Sequence, residues 1–180
     1  MKISKKVKTA GLLIAVVLIA FVAFMVFAGS DVISGLATGS ELLKPDGNAT
    51  GKALVVYNSG LSGAPKNEAT KIAEELKARG YEVMLAGVKS EAAANVSGYD
   101  VIVAGGPIYG GRVSSSVYSY LQALVPSASV KVGAFAIGGS TVKAFPDATW
   151  LKTTALLSPD KDIDRQRADF MAQLLNQVTA

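Results

Sequence analysis

The sequence predicts an α/β domain with a doubly wound, five-stranded parallel sheet, preceded by one transmembrane helix. The first observation is a set of short apolar runs, of which Val101–Ala104 is typical of a strand buried on both faces. The second is that helical patterns follow these runs, as in residues 113–124. Because strands alternate with helices, we expect a parallel sheet with helices on both faces. The third is an uncharged N-terminal segment, residues 9–30.

Residues 9–30 are predicted to be a membrane anchor, because roughly 20 apolar residues span a bilayer as a helix. Four lysines lie in the preceding tail, residues 1–8, which predicts a cytoplasmic N-terminus and an extracytoplasmic domain. The alternative is a signal peptide cleaved after Ala28, which would leave a secreted protein. Residues 31–51 contain several Gly and Ser and are predicted as a linker, and residues 52–180 as a single domain.

The composition excludes several kinds of chemistry. The chain of 180 residues has no Cys and no His, which excludes disulfides, thiolate zinc sites and Ser-His-Asp triads. No metal site and no catalytic residue is predicted, so an enzymatic activity would depend on a cofactor. The net charge of +4 arises from the N-terminal lysines, and the rest of the chain has equal numbers of acids and bases. Nucleic acid is therefore not an expected partner.

The elements follow one another from residue 53 to the C-terminus. The predicted strands are Ala53–Tyr57, Tyr81–Leu85, Asp100–Gly105, Val130–Ile137 and Thr153–Leu157. The predicted helices are Asn67–Arg79, Ser90–Asn95, Val113–Leu124 and Ile163–Val178. Gly80 is placed to end the first of these helices, as glycine commonly does.

Three loops that follow strands are candidate ligand sites, because open α/β sheets bind ligands at the carboxyl ends of their strands. Loop one, residues 58–67, has glycines and hydroxyls before a helix, which predicts a phosphate cradle or an ordinary turn with an N-cap. Loop two, residues 105–111, carries Tyr109 between a proline and two glycines. This arrangement favours a flat ligand, and a surface aromatic in a turn is the alternative. Loop three, residues 138–141, has the weakest signal.

The three loops and their strands resemble the flavodoxin family of FMN-binding domains. The resemblance rests on Leu-Val-Val-Tyr-Asn-Ser-Gly-Leu-Ser-Gly at residues 54–63, on residues 69–76, on Asp-Val-Ile-Val-Ala-Gly-Gly-Pro-Ile-Tyr-Gly-Gly at 100–111, and on residues 133–139. It implies a flavodoxin-like sheet with strand order 2-1-3-4-5. The sequence Gly-Pro-Ile-Tyr-Gly-Gly-Arg resembles in particular the branch that includes protoporphyrinogen-oxidase-like flavodoxin domains.

The resemblance also implies which residues bind FMN. The phosphate would lie at loop one and the isoalloxazine between loops two and three. The implied site residues are Ser59, Gly60, Ser62, Gly63 and Asn67 in loop one, Pro107, Ile108, Tyr109 and Gly110 in loop two, and Gly138 and Gly139 in loop three.

Loop one departs from the family pattern. The segment Ala64-Pro65-Lys66 is inserted before Asn67, so Asn67 or Thr70 would replace the final hydroxyl of the pattern, or Lys66 would supply a charge.

The implied function is electron transfer or quinone-type reduction at a membrane, with a redox partner that the sequence does not identify. The alternative is a cofactor-free flavodoxin fold that acts as a binding or scaffold domain, since fold alone does not decide function.

Overall fold

The computed structural model describes residues 5–29, 37–109, 111–138 and 144–177, with the side chains of the first helix described at 12–24. The helices are α1 (Lys5–Gly29), α2 (Ala64–Ala78), α3 (Glu91–Ala94), α4 (Ser115–Ala123) and α5 (Ile163–Leu175). The strands are β1 (Ser40–Leu43), β2 (Gly51–Tyr57), β3 (Tyr81–Gly87), β4 (Val101–Tyr109), β5 (Arg112–Val113), β6 (Lys131–Ile137) and β7 (Thr153–Leu157).

Within the described residues the strands form one seven-stranded, mostly parallel sheet, which confirms the α/β class. Its order is β1-β3-β2-β4-β6-β7, and β5 pairs with β4. The prediction of five strands in the order 2-1-3-4-5 is therefore wrong for the sheet as a whole. It describes only the parallel strands β2, β3, β4, β6 and β7. The two further strands pair antiparallel, β1 with β3 and β5 with β4.

Part of the predicted linker, residues 31–51, belongs to this sheet. Strand β1 lies within it, and β2 begins at Gly51. Ala37 is also buried, and its carbonyl accepts a hydrogen bond from the Lys89 N–H at 2.9 Å. The sequence does not predict β1, because this outermost strand pairs through its backbone and its side chains are largely exposed. Residues 31–36 lie outside the described residues.

The helices α2 and α4 begin two or more residues away from their predicted starts. Helix α2 begins at Ala64 and not at Asn67, because Pro65 lies in the first turn, where its missing N–H costs no hydrogen bond. Helix α4 begins at Ser115, since the two residues before Ser114 form β5. The insertion of residues 64–66 thus becomes the first turn of α2.

The sheet is buried on both faces, as the apolar runs predict. Alternate residues of β2 contribute to two separate cores: Val55 lies in the core beneath α2 and α5, and Leu54 in the core beneath α3 and α4. Phe135 and Phe170 are the largest fully buried side chains, and both lie in the first core. The carboxyl ends of the parallel strands therefore lie along the same edge of the sheet, and the loops that follow the strands meet there. Helices cover both faces of this sheet.

Helix α1 precedes the sheet. Its described side chains are apolar and exposed on every side of the helix; Leu12, for example, is 67% exposed. Among the residues that the structure describes, no helix is both long and apolar enough to cross a membrane. The predicted anchor, residues 9–30, extends beyond the side chains described for α1 and stays a prediction.

Gly105 lies inside β4 because the sheet leaves no room for a side chain there. A Cβ at this position would lie 2.2 Å from the ring of Phe135. We expect Gly105→Ala to lower the free energy of unfolding by roughly 1–3 kcal/mol, the usual cost of overpacking a core. Urea denaturation measures the change. The matched control is Gly47→Ala, where a Cβ meets nothing within 4 Å, and equal effects of the two substitutions would contradict the explanation.

Candidate functional site

The loops after β2, β4 and β6 converge at the carboxyl edge of the sheet. A Cβ on Gly60 of loop one would lie 2.9 Å from Cγ of Pro107 in loop two. A Cβ on Gly138 of loop three would lie 3.1 Å from Cβ of Ile108, also in loop two. Loop two thus contacts both loop one and loop three, and the three predicted loops form one surface.

Asn58 fixes the start of loop one. Its buried side-chain amide donates to Oγ of Ser114 at 3.1 Å and to Oγ of Ser116 at 3.0 Å, while its Oδ1 accepts from the Gly60 N–H at 2.9 Å. Gly106 lies beneath this cluster, where a Cβ would be 3.0 Å from the Ser114 hydroxyl. These hydrogen bonds offset the desolvation cost of the buried amide, and they join loop one to the start of α4.

Loop one ends at the N-terminus of α2, and Gly63 is the cap. Gly63 has φ 72°, a conformation that favours glycine, and a Cβ there would meet nothing within 4 Å. The Ser62 hydroxyl accepts from the Ala64 N–H at 3.3 Å. A helix N-terminus presents N–H groups and a partial positive charge to an anion. The ammonium of Lys66 lies 5.9 Å from the centre of the Tyr57 ring and adds positive charge to the first turn.

The other predicted phosphate residues lie nearby. Ser59 is half-buried between Asn58 and Gly60, and Asn67 is exposed at the end of the first turn of α2. The Thr70 hydroxyl donates to the carbonyl of Lys66 at 3.0 Å, back along the helix. The Thr70 hydroxyl is thereby directed to its own backbone, and the replacement of the final phosphate-binding hydroxyl by Asn67 or Thr70 stays a prediction.

Loop two is a hairpin, which the sequence did not predict. Strand β4 continues through Pro107, Ile108 and Tyr109, and Tyr109 pairs with Arg112 across the turn. Glycine pairs suit two-residue hairpin turns because the turn needs positive φ, and Gly111 has φ 82°. Gly110 lies outside the described residues.

Tyr109 contacts loop one. Its hydroxyl accepts a hydrogen bond from the Leu61 N–H at 3.3 Å. The ring is half-buried and bridges the hairpin to the loop that precedes α2. A single side chain therefore joins the predicted phosphate loop to the predicted ring-binding loop.

A small cavity lies beside Tyr109. It has a volume of about 210 Å³ and is lined by Tyr109, Arg112, Val113, Ser114, Ser115, Tyr118 and Ser119. Typical ligand pockets measure roughly 300–1,000 Å³, so this cavity alone would hold only part of a ligand. The Arg112 guanidinium lies over the Tyr118 ring, 5.7 Å from its centre. Arg112 is thus exposed but also held in place by this contact.

The segment between β6 and β7, which begins with loop three, is described at Gly138 and again from Ala144. The Gly138 N–H donates to the carbonyl of Leu157 at 3.3 Å, and the Val113 N–H of β5 donates to the carbonyl of Ala144 at 2.9 Å. The chain therefore returns over the hairpin before β7. Gly139, with the rest of residues 139–143, lies outside the described residues.

An ion-pair cluster, formed by Glu68, Lys71, Asp164 and Arg167, joins α2 to α5 beside loop one. Arg167 donates to the buried Glu68 carboxylate at 2.8 Å and to Asp164 at 2.7 Å, and Lys71 donates to Glu68 at 3.1 Å. The hydrogen bond to Glu68 raises the pKa of Lys71, and the hydrogen bond from Arg167 lowers the pKa of Asp164. This cluster fixes the helix whose N-terminus faces the site.

The sequence alone does not identify several residues of the site. The sequence places Asn58 in loop one but does not indicate its partners, because Ser114 and Ser116 lie more than 50 positions away in the chain. The available signal is a polar residue directly after a fully buried strand. Tyr118 lies within the predicted helix 113–124, and the sequence predicts no role for it at the site.

An α/β fold with loops gathered at the carboxyl edge of a parallel sheet defines a class of ligand-binding domains. The sequence model of the family described as "Flavodoxin domain" matches residues 54–172, which is more than half of the chain. The chain belongs to this family. No curated protein matches the chain.

The Asp164 contacts predict a pH dependence of stability. A carboxyl whose pKa is lowered in the folded state stabilises the fold above its ordinary pKa of 3.8, and this contribution is lost as the pH falls through the lower, folded value. We expect Asp164→Asn to lower the melting temperature at pH 7 and to match the unsubstituted protein in strong acid. Thermal melts from pH 7 to pH 2 measure this. The exposed Asp169 on the same helix is the control, and a constant difference at all pH values would contradict the assignment.

Proposed function

We propose that this domain binds FMN non-covalently at the carboxyl edge of its sheet and acts in electron transfer or quinone-type reduction. The observation that carries the proposal is the meeting of a glycine-capped helix N-terminus with the Tyr109 hairpin. The first suits a phosphate and the second suits a flat ring, and the family is one whose domains commonly bind flavin. When bound, FMN would supply the redox chemistry, for which the protein side chains have no equivalent.

The donors of loop one fit a phosphate. Ser59 and Ser62 offer hydroxyls, the N-terminus of α2 offers backbone N–H groups, and the Lys66 ammonium adds charge. The open space beside Gly63 is consistent with a ligand approaching the backbone closely. Two other N–H groups of the loop, those of Gly60 and Leu61, are held by Asn58 and Tyr109.

The ring of the flavin would lie against loop two. We propose that Pro107, Ile108, Tyr109 and Gly110 flank one side and that Gly138 and Gly139 flank the other. Gly138 packs closely against Ile108, since a Cβ there would lie 3.1 Å from the Ile108 Cβ, so the ring would lie beside this contact. Arg112, held over Tyr118 beside the hairpin, is a positive group near this end of the ligand. The sequence Gly-Pro-Ile-Tyr-Gly-Gly-Arg favours the protoporphyrinogen-oxidase-like branch of the family.

One observation favours the second candidate function, a cofactor-free binding or scaffold domain. Loop one satisfies the Gly60 and Leu61 N–H groups with its own side-chain partners, so these groups need no ligand to order the loop. Titration with FMN separates the two functions, because a cofactor-free domain would leave the flavin absorption and fluorescence unchanged.

The phosphate cradle predicts that FMN and riboflavin respond differently to substitution. We expect Ser62→Ala combined with Lys66→Gln to weaken FMN binding by about 1.5–3 kcal/mol for each lost bond to the charged phosphate. Riboflavin has no phosphate, so its affinity should not change. Fluorescence titration with both flavins measures this, and Lys77→Gln at the other end of α2 is the control. An equal loss for both flavins would show that the loop is only structural.

Tyr109 is expected to contribute through both its ring and its hydroxyl. We expect Tyr109→Ala to lower FMN affinity by roughly 1–2 kcal/mol, the scale of an aromatic contact together with lost buried area. Tyr109→Phe keeps the ring and removes the bond to Leu61, so it should have a smaller effect. Titrations and thermal melts of the flavin-free variants are compared. Unchanged FMN affinity with a markedly lower melting temperature would make Tyr109 a packing residue.

We further propose that residues 9–30 anchor the chain in a membrane, with the N-terminus in the cytoplasm and the domain outside. The four lysines before the segment support this orientation. The described side chains of α1 are apolar all round, a pattern typical of helices that do not face water. Secretion after cleavage is the alternative outcome.

Removal of the anchor should release a folded, soluble domain. The truncation must keep Ala37 and Gly39, whose carbonyls accept hydrogen bonds from Lys89 and Gly87. We expect a chain that lacks residues 1–30 to stay in solution during flotation with lipid vesicles, while the full chain floats. External protease should digest the domain in intact cells. Recovery of the full chain in the soluble fraction, or protection of the domain until lysis, would contradict the proposal.

A further inference from the structure

We propose that the edge of the sheet that carries the candidate flavin site docks on the surface of a lipid bilayer. This inference rests on the proposed anchor, and it adds which end of the domain faces the membrane. The inference follows from the place at which the residues between α1 and β1 enter the sheet.

Strand β1 determines that point, because it runs antiparallel to β3. Ser40, at the start of β1, pairs with Ala86 near the end of β3, whereas Leu43 pairs with Val83. The residues before β1 therefore lie beyond the carboxyl end of β3. A parallel first strand would have brought the chain in at the opposite edge.

Two contacts fix the incoming chain at this edge. The carbonyl of Gly39 accepts from the Gly87 N–H at 2.8 Å, and Ala37, which is 1% exposed, accepts from Lys89. A Cβ on Gly87 would lie 2.2 Å from the Ala37 carbonyl oxygen. The backbone of the tether is thus packed directly against the end of β3.

The remaining tether is short. Between Gly29 at the end of α1 and Ala37 the chain reaches at most about 30 Å when fully extended. From Ala37, loop one is only two strand spacings away, roughly 10 Å, since β3 lies between β1 and β2. The opposite edge of the sheet lies about 23 Å farther along the seven-residue β2. The candidate site is therefore at the end of the domain at which the tether enters.

The side chains at this edge suit lipid headgroups. Leu61, at the tip of loop one, is 55% exposed, and Lys66, Lys89 and Arg112 are exposed at the same edge. The acidic side chains at this edge are Glu91 near Lys89, the buried and ion-paired Glu68, Asp147 between β6 and β7, and Asp160, Asp162 and Asp164 after β7. Near the tether, the two exposed lysines Lys66 and Lys89 thus outnumber the one exposed acid, Glu91, and together with Leu61 they suit an anionic surface.

The chain has no cysteine, so a single label can report on each edge. The full chain carries Leu61→Cys at the candidate edge or Gly47→Cys at the opposite edge, each labelled with a fluorophore. It is reconstituted in vesicles of phosphatidylcholine and phosphatidylglycerol that contain a headgroup-nitroxide lipid quencher. We expect the label at position 61 to lose most of its fluorescence and the label at position 47 to lose little.

Equal quenching at the two positions, or stronger quenching at position 47, would overturn the inference. Flotation of the same samples separates this result from failure of the anchor, because a chain that does not float contradicts both. FMN titration of the same samples tests the flavin site independently. As a matched pair, Lys89→Glu should reduce quenching at position 61, and Lys44→Glu at the opposite edge should not. Equal effects of these two substitutions would contradict contact between this edge and lipid.

Discussion

The candidate site depends on the absence of side chains at two successive positions in the middle of the sheet. Gly105 and Gly106 point to opposite faces of β4, so each lets a different group approach the backbone. The Phe135 ring fills the space at Gly105, and the Asn58 cluster fills the space at Gly106. A Cβ at Gly105 would overlap the Phe135 ring, and a Cβ at Gly106 would crowd the Ser114 hydroxyl, so a side chain at either position would shift the groups packed against β4. The hairpin that contacts loop one is the continuation of this strand.

These two glycines also show where sequence reasoning fails. In the sequence they look like the start of a loop, since two glycines and a proline normally end a strand. In the structure the strand continues for five residues beyond Ala104, because tertiary packing on both faces requires bare backbone there. The sequence shows that Gly105 and Gly106 have no side chains, but it does not show why. The reason lies in Phe135 and Asn58, which are distant in the sequence.

Much of the fold was accessible from the sequence because it depends on burial. The five parallel strands and four of their helices follow from apolar patterning, and β7 has the predicted bounds. Strand β1 was not accessible, because an edge strand of four residues is stabilised by backbone pairing and has little apolar pattern. The bond between Tyr109 and Leu61 was not accessible either, since it depends on how a hairpin turns. The sequence placed Tyr109 correctly at the edge but could not indicate its neighbour.

That bond changes how the two halves of the site relate. If the phosphate loop and the ring-binding loop were independent, each half of a ligand would be bound separately. Here the Tyr109 hydroxyl holds the Leu61 N–H, and Asn58 holds the Gly60 N–H next to it. A shift of the hairpin would release an N–H of loop one, and a shift of loop one would leave the tyrosine hydroxyl without this partner. Because the same hairpin is joined to loop three through Gly138 and Ala144, the three loops have one common support. The geometry of the site is therefore determined mainly by the end of β4, the strand at the centre of the sheet.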